Sequence, residues 1–470
     1  MDTSICHTWV SPSVSVRAAN VACLLVRMVM VVSKTLVNLY IYQSLCHALF
    51  GPSSECLKPD EEKQVAREAA LFILLQKVVL NLPPFILTPF FGGWTDKIGR
   101  KMPAAVAMFG NMLGILLYML SNLFRPPSLL VLLSGSLLRG LFGKSAFILT
   151  ALQSYVIDMC SSEKRTSGLS AIHGLGLMGF SGGLLGAGML LTITSFDIIF
   201  CVLTGIMTFC VFLVISCLYD CKTSIKAKAQ QNNKKNKPGV KCFTGPFASM
   251  FKEREGRSRQ HLLMLLLLTF LFQTNRVGEE DVLLLYLQRA SFGARPEMYA
   301  YVVGVSYATQ GLVLVFLVPV FTNVLEIRNA TMILVALFVK MCSLVLLTFS
   351  DRLWMVFSGV ILGVPSAMFV TISKSMMSSL VGPEEVGTIF GVISSLEIFS
   401  SITGSAIYIN LYVITSSILP GMVFSIEAGV CFIMFLLSIT FYKPATVEYK
   451  RLKSNEIYRT QNRIYGSTTK

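Results

Sequence analysis

The chain has 470 residues, 54% of them hydrophobic and only 14% charged, whereas an ordinary soluble domain carries about 25% charged residues. That balance excludes a water-soluble globule and makes the bilayer the solvent in which to reason. The formal charge of +15 would ordinarily suggest nucleic-acid binding, but most of the surplus sits in two blocks, residues 222–259 and the tail after Tyr442. In a membrane protein Lys and Arg mark the cytoplasmic side, so the charge reports topology and no nucleic-acid partner is expected.

A spanning helix needs roughly 20 apolar residues. Runs of that kind predict helices near 19–45, 68–91, 103–124, 128–158, 167–193 and 197–219, and again near 261–288, 299–321, 330–349, 353–379, 386–413 and 420–442. The first run is interrupted by Arg27 and Lys34 and lacks a clear small-residue cleavage site, so it reads as a retained helix rather than a cleaved signal. The interval between the two sets contains QQNNKKNKPG and many Lys and Arg with few acids, the composition of a solvated cytoplasmic linker. With that linker inside, the basic turns at 92–102 and 160–166 also lie inside, and the acidic stretch from Glu55 to Glu68 lies outside. The expectation is an all-α membrane protein of twelve transmembrane helices in two six-helix pseudo-repeats. Its parts are a cytoplasmic N-terminus (1–18), two bundles (19–219 and 261–442), the linker (220–260) and a cytoplasmic tail (443–470).

Glycines recur every fourth residue on helix five (Gly179, Gly183 and Gly182, Gly186) and on helix eleven (Gly387, Gly391). Such spacing lets helix backbones approach closely in lipid, and its occurrence in both halves supports a repeat. The twelve Cys show no metal-site or redox spacing. Cys46 and Cys56 flank the first outer loop and could pair in an oxidising compartment. No metal or cofactor is expected.

The turn between helices two and three reads Gly92-Gly93-Trp94-Thr95-Asp96-Lys97-Ile98-Gly99-Arg100-Lys101. It matches the G-x-x-x-D-[RK]-x-G-R-[RK] signature of the major facilitator superfamily at every fixed position, and the chain therefore resembles that superfamily. Gly92 permits close helix contact, Gly99 a tight turn, and Asp96 with Arg100 can latch the cytoplasmic face through charge and helix-dipole contacts. Tyr155-Val156-Ile157-Asp158 followed by Glu163-Lys164-Arg165 is similar to a second pattern of the superfamily. The segments Glu280 to Tyr286, Ser373 to Met376 and Glu384 to Glu397 resemble solute carrier family 46, the family of the proton-coupled folate transporter. The resemblance implies a secondary active transporter working by alternating access, coupled to protons and carrying a folate-like, steroid-conjugate or similar amphipathic organic anion. Two departures weigh against folate itself: the loop from Arg289 to Met298 has no Cys, and the first outer loop has no glycosylation sequon. The one sequon, Asn329-Ala330-Thr331, falls on a predicted inner loop.

Ionisable groups deep in a bilayer cost about 2.5–3.5 kcal/mol each at the helix centre and mark a pathway by default. Lys77, Arg139 and Glu397 are predicted near mid-membrane. Arg27 and Lys34 lie two turns apart on one face, where they could snorkel to opposite ends or line a cavity. A cavity lined by these cations calls for an anionic cargo. Arg276 could pair with Glu280 one turn on or, with Tyr307 and Gln310, contact the cargo, and Gly278 permits a broken helix seven. For a coupling proton Glu397 is the leading candidate, with Glu279, Glu280, Asp158, Glu427 and His173 behind it. Tyr449-Lys450-Arg451-Leu452 matches a tyrosine-based sorting signal that a trafficking adaptor could read, leaving plasma and endolysosomal membranes both open. The same residues would also suit a proton-independent uniporter, or a non-transporting receptor or scaffold on this fold.

Overall fold

The computed structural model describes residues 11–50, 59–123, 129–219, 258–287, 296–416 and 419–439. Cys56, the linker before Ser258, the tail and the Tyr449–Leu452 pattern lie outside the described residues. All secondary structure described is helical, as lipid requires of a chain that must satisfy its own backbone groups. Among the described residues, twelve helices are long and apolar enough to span: α1 (Ser13–Cys46), α2 (Leu71–Ile98), α3 (Lys101–Ser121), α4 (Leu129–Met159), α5 (Arg165–Ala187), α6 (Phe196–Cys217), α7 (Ser258–Leu287), α8 (Met298–Val324), α9 (Asn329–Thr348), α10 (Leu353–Leu380), α11 (Val386–Thr415) and α12 (Met422–Ile439).

Four local expectations change. The signature at 92–98 is not a loop: the helix that contains α2 continues to Ile98, and the turn is only Gly99 and Arg100, with Gly99 at φ +115°. α4 is broken at Phe142-Gly143, where Gly143 has φ +75° and Lys144 φ +51°. α7 is unbroken through Gly278; the missing side chain there makes room for the Tyr408 ring of α11. α8 ends in two π-helical turns, Val313–Leu317 and Val320–Val324.

The prolines of α2 position its neighbours. A proline leaves the carbonyl four residues earlier without its helical donor, so Pro83, Pro84 and Pro89 free the carbonyls of Val79, Leu80 and Phe85. Gly140 of α4 packs directly on the first two; a Cβ there would stand 2.9 Å from Val79 O and 3.0 Å from Leu80 O. The third accepts a 2.6 Å hydrogen bond from the Ser395 hydroxyl of α11 in the other half.

Glycine seams relate the two halves. Within each bundle α5 meets α1 at Gly179 and Gly183, and α11 meets α7 at Gly404. Between the bundles α5 meets α8 at Gly174 and Gly311, while α11 meets α2 at Gly387, Gly391 and Gly92. The correspondence α5/α11, α1/α7 and α8/α2 is that of a pseudo-two-fold repeat. Gly182 and Gly186 meet nothing within 4 Å, so only one of the two helix-five rows is a seam. The seams expected to match, Gly179/Gly183 and Gly387/Gly391, differ in kind: the first packs within its half, the second across halves.

Candidate functional site

At the signature, one carboxylate reaches across the halves. Asp96 accepts the backbone N–H groups of Gly387 (2.9 Å) and Thr388 (2.7 Å) and the Thr388 hydroxyl (2.8 Å). These are unsatisfied donors of the first turn of α11, where the helix dipole also favours an anion. Arg100, 1% exposed, pairs with Asp96 at 2.7 Å and Asp158 at 3.0 Å and donates to Thr95 Oγ1 at 2.6 Å. Gly92 lies against the Gly387 carbonyl with no room for a side chain. The structure thus joins Gly92, Asp96, Gly99 and Arg100 at this turn. It also places Asp158, a proton candidate in the sequence, here beside Arg100 rather than with Glu397.

A cleft opens mainly within the second half. Arg276, Glu279, Glu280, Tyr307, Gln310 and Lys340 line it, with His173 and Leu177 of α5 closing one side. Arg276 pairs with Glu280 at 3.2 Å and donates to the Tyr307 hydroxyl at 3.0 Å, and Tyr307 donates to Glu280 at 2.5 Å. Lys340 forms an ion pair with Glu279. Gln310 donates to Ser306 at 3.0 Å. His173 shares a 2.7 Å hydrogen bond with Thr371 of α10 and is within electrostatic reach of Lys374, Arg27 and Arg276.

Beside the cleft, between the halves, Glu397 pairs with Lys374 at 2.8 Å. Lys374 also donates to Gln153 of α4 at 3.3 Å, so the pair touches both halves. In the first half, several cations gather about Lys144. Lys144 interacts electrostatically with Lys34, Arg139, Arg27 and Lys77, and Lys34 in turn with Lys77, Glu280 and Asp281. Arg27 packs along Gly176, which places it inside the bundle rather than snorkelling to an end. Arg139 is buried over the Tyr118 ring, 5.3 Å from its centroid, with Nη2 at 2.8 Å from Met30 Sδ and Nε without a hydrogen-bond partner. Lys144 donates to Asn81 Oδ1 at 3.2 Å. None of these five cations makes an ion pair among the described residues.

Three partners were not singled out from sequence as site residues: Lys144, Lys340 and Lys374. Each is a lone cation inside an apolar run, which is itself the available signal. Cys46 is disulfide-bonded, to a partner outside the described residues. Asn329 of the sequon donates to Thr166 Oγ1 across the halves at 3.2 Å.

Residues 77–288 match the model of the Major Facilitator Superfamily. The chain is 24% identical over 394 residues to the lysosomal proton-coupled steroid conjugate and bile acid symporter SLC46A3 of Bos taurus, covering 81% of this chain and 83% of that protein. It is 22% identical over 389 residues to the proton-coupled folate transporter of Bos taurus, covering 79% and 80%. Among solved structures, the human organic anion transporter MFSD10 superposes with a TM-score of 0.69 at 15% identity, over 90% of this chain and 99% of that one. The transporter FucP in its outward conformation gives 0.63 at 12% identity, over 90% and 98%. Signature, twelve candidate spanning helices and paired halves agree with these likenesses: the chain is an integral, multi-pass membrane protein with the fold of the major facilitator transporters, and its sequence resembles that superfamily and solute carrier family 46.

Proposed function

We propose that the protein moves an organic anion across its membrane together with a proton, by alternating access between its halves. The observation that carries this reading is the partition of charge between the halves, with Lys34 of the first within electrostatic reach of Glu280 and Asp281 of the second. Arg27, Lys34, Lys77, Arg139 and Lys144 of the first half have no ion-pair partner among the described residues; Arg139 is buried, Arg27 and Lys144 are half-buried, Lys34 and Lys77 are exposed, and all five sit on membrane-spanning helices, where a charge calls for a partner. An anionic cargo supplies it. Facing them, the second half holds Glu279, Glu280, Asp281 and Glu397. Arg276, Tyr307 and Gln310 then contact the cargo from the cleft, and Glu397 carries the coupling proton. Protonating Glu397 releases Lys374 from its carboxylate at the junction of the halves, so proton and conformation are linked. The names of the relatives set the first cargoes to try: steroid conjugates, bile acids and folates. The protein would then serve the plasma membrane or an endolysosomal membrane, with Tyr449–Leu452 as its sorting signal.

The test is uptake of labelled steroid sulfate, bile acid and folate by reconstituted proteoliposomes, with and without an inward acid gradient. Accumulation of one of them that rises with the gradient in the wild type and loses its pH response in Glu397→Gln is expected. Uptake indifferent to the gradient in the wild type refutes proton coupling.

A further inference from the structure

Behind the cleft lies a buried carboxylate, Glu427, that the cargo reading does not use. Glu427 of α12 is 0% exposed, and both its carboxylate oxygens lack a hydrogen-bond partner. The surroundings are otherwise apolar: Phe424, Ala428 and Cys431 of its own helix belong to a packed core with Leu283 and Tyr286 of α7, Leu344 and Leu347 of α9 and Tyr408 of α11. The charged and titratable groups facing it are Glu279 from α7, Lys340 from α9, Tyr408 from α11 and Cys431 from α12. The Tyr408 hydroxyl is already spent on Asn275 Oδ1, and the Asn275 amide on the Glu427 main-chain carbonyl at 3.3 Å and Cys431 Sγ at 3.7 Å. The single lysine is spent on Glu279.

Two carboxylates therefore share one ammonium. Fully ionised, the cluster would carry one uncompensated negative charge in a place with no donor to receive it, which is strongly unfavourable. A bound divalent metal is a poor remedy, because beside the carboxylates the site offers only the Asn275 amide oxygen and the Tyr408 hydroxyl, already bonded to each other, far short of a shell of about six oxygens. A proton fits: it neutralises Glu427 and needs no coordination shell. We propose that Glu427, with Lys340 and Glu279, is a buried proton-binding site, closed in this state and loaded through the cleft.

The exchange balances simply. With Glu427 protonated and Glu279 paired to Lys340, the cluster is neutral. When Glu427 loses its proton to water in the cleft, Lys340 turns from Glu279 to Glu427, and the remaining negative charge sits on Glu279 at the cleft wall. Glu279 and Lys340 both line the cleft, so the proton has a route that Glu427 alone lacks. The proton changes the charge that a cargo would meet: neutral with it, negative without it. An anion and a proton then favour one another's binding, a reciprocal coupling. That last link rests on the anion reading above; the proton site itself does not.

The experiment is infrared spectroscopy of the purified protein in lipid at neutral pH, with no cargo, in sodium and in choline buffers. A carboxylic-acid C=O band is expected in both buffers, shifting when the glutamates alone are carbon-13 labelled. One carboxylic-acid equivalent should vanish in Glu427→Gln, a substitution of the same shape as the protonated acid. Absence of a glutamic-acid band in the labelled wild type overturns the proposal without needing any variant to fold. So does a band that keeps its full intensity in a folded Glu427→Gln protein, or one present in choline and abolished by sodium, which would make the site a sodium site. Failure of every anion in the uptake panel would leave these spectra unchanged, so the two readings fail separately.

Discussion

Gly92→Ala tests how tightly the halves are shut at the signature. A methyl group there would run into the Gly387 carbonyl oxygen and stand 3.1 Å from Gly391 Cα, backbone against backbone with no flexible side chain to give way. Overpacking of this kind costs about 1–3 kcal/mol. The cost falls only on the conformation in which α2 and α11 touch, so the population with this end open should rise by roughly 5–150-fold. Hydrogen–deuterium exchange reads that population directly, because the amides of Gly387 and Thr388 are held by Asp96 across the seam and exchange when it opens. They should exchange faster by that factor, while amides of α3, packed inside the first half, keep their protection. Gly93→Ala is the control: its added Cβ meets only Thr388 Oγ1 at 3.5 Å, an ordinary contact, and should change nothing. Unchanged protection at Gly387 and Thr388 in Gly92→Ala would refute the reasoning.

Asp158→Asn leaves the buried Arg100 with one carboxylate in place of two, a loss of about 1.5–3 kcal/mol for a hydrogen bond to a charged group. Its melting temperature in detergent should fall while the pH profile of uptake stays that of the wild type; a shifted profile would return Asp158 to the proton pathway. Cys46→Ser removes a disulfide, typically about 2–5 kcal/mol in a small secreted domain. The melting temperature should drop, and the addition of reductant should lower that of the wild type but not of the variant.

The layout was legible because lipid leaves few solutions: apolar runs of spanning length can only be helices, and a signature with fixed glycines and charges marks one turn. Side-chain geometry was less so. Arg276 and Glu280 lie one turn apart, and their pairing follows from helix spacing. The Lys340 to Glu279 pair joins segments 61 residues apart, and Arg100 reaches Asp158 across 58. No local pattern encodes such distances. Gly278 misled for a related reason: a glycine inside a helix reads equally as a break or as a recess, and only the Tyr408 ring packed over it decides. The break at Gly143 was equally hidden, since a lone glycine in an apolar run carries no sign of a left-handed turn.

The prolines of α2 and the glycines that answer them have a consequence for motion. α5 and α11 each carry glycine faces toward their own half and toward the opposite one, so both are shared rails rather than members of one bundle alone. A surface of bare backbone offers no knobs to climb over, and sliding along it costs little until a proline-freed carbonyl, such as that of Phe85, must part from its hydroxyl. For the alternating access proposed above, this predicts a path smooth along the helix axes, with discrete stops where such hydrogen bonds must break and form again.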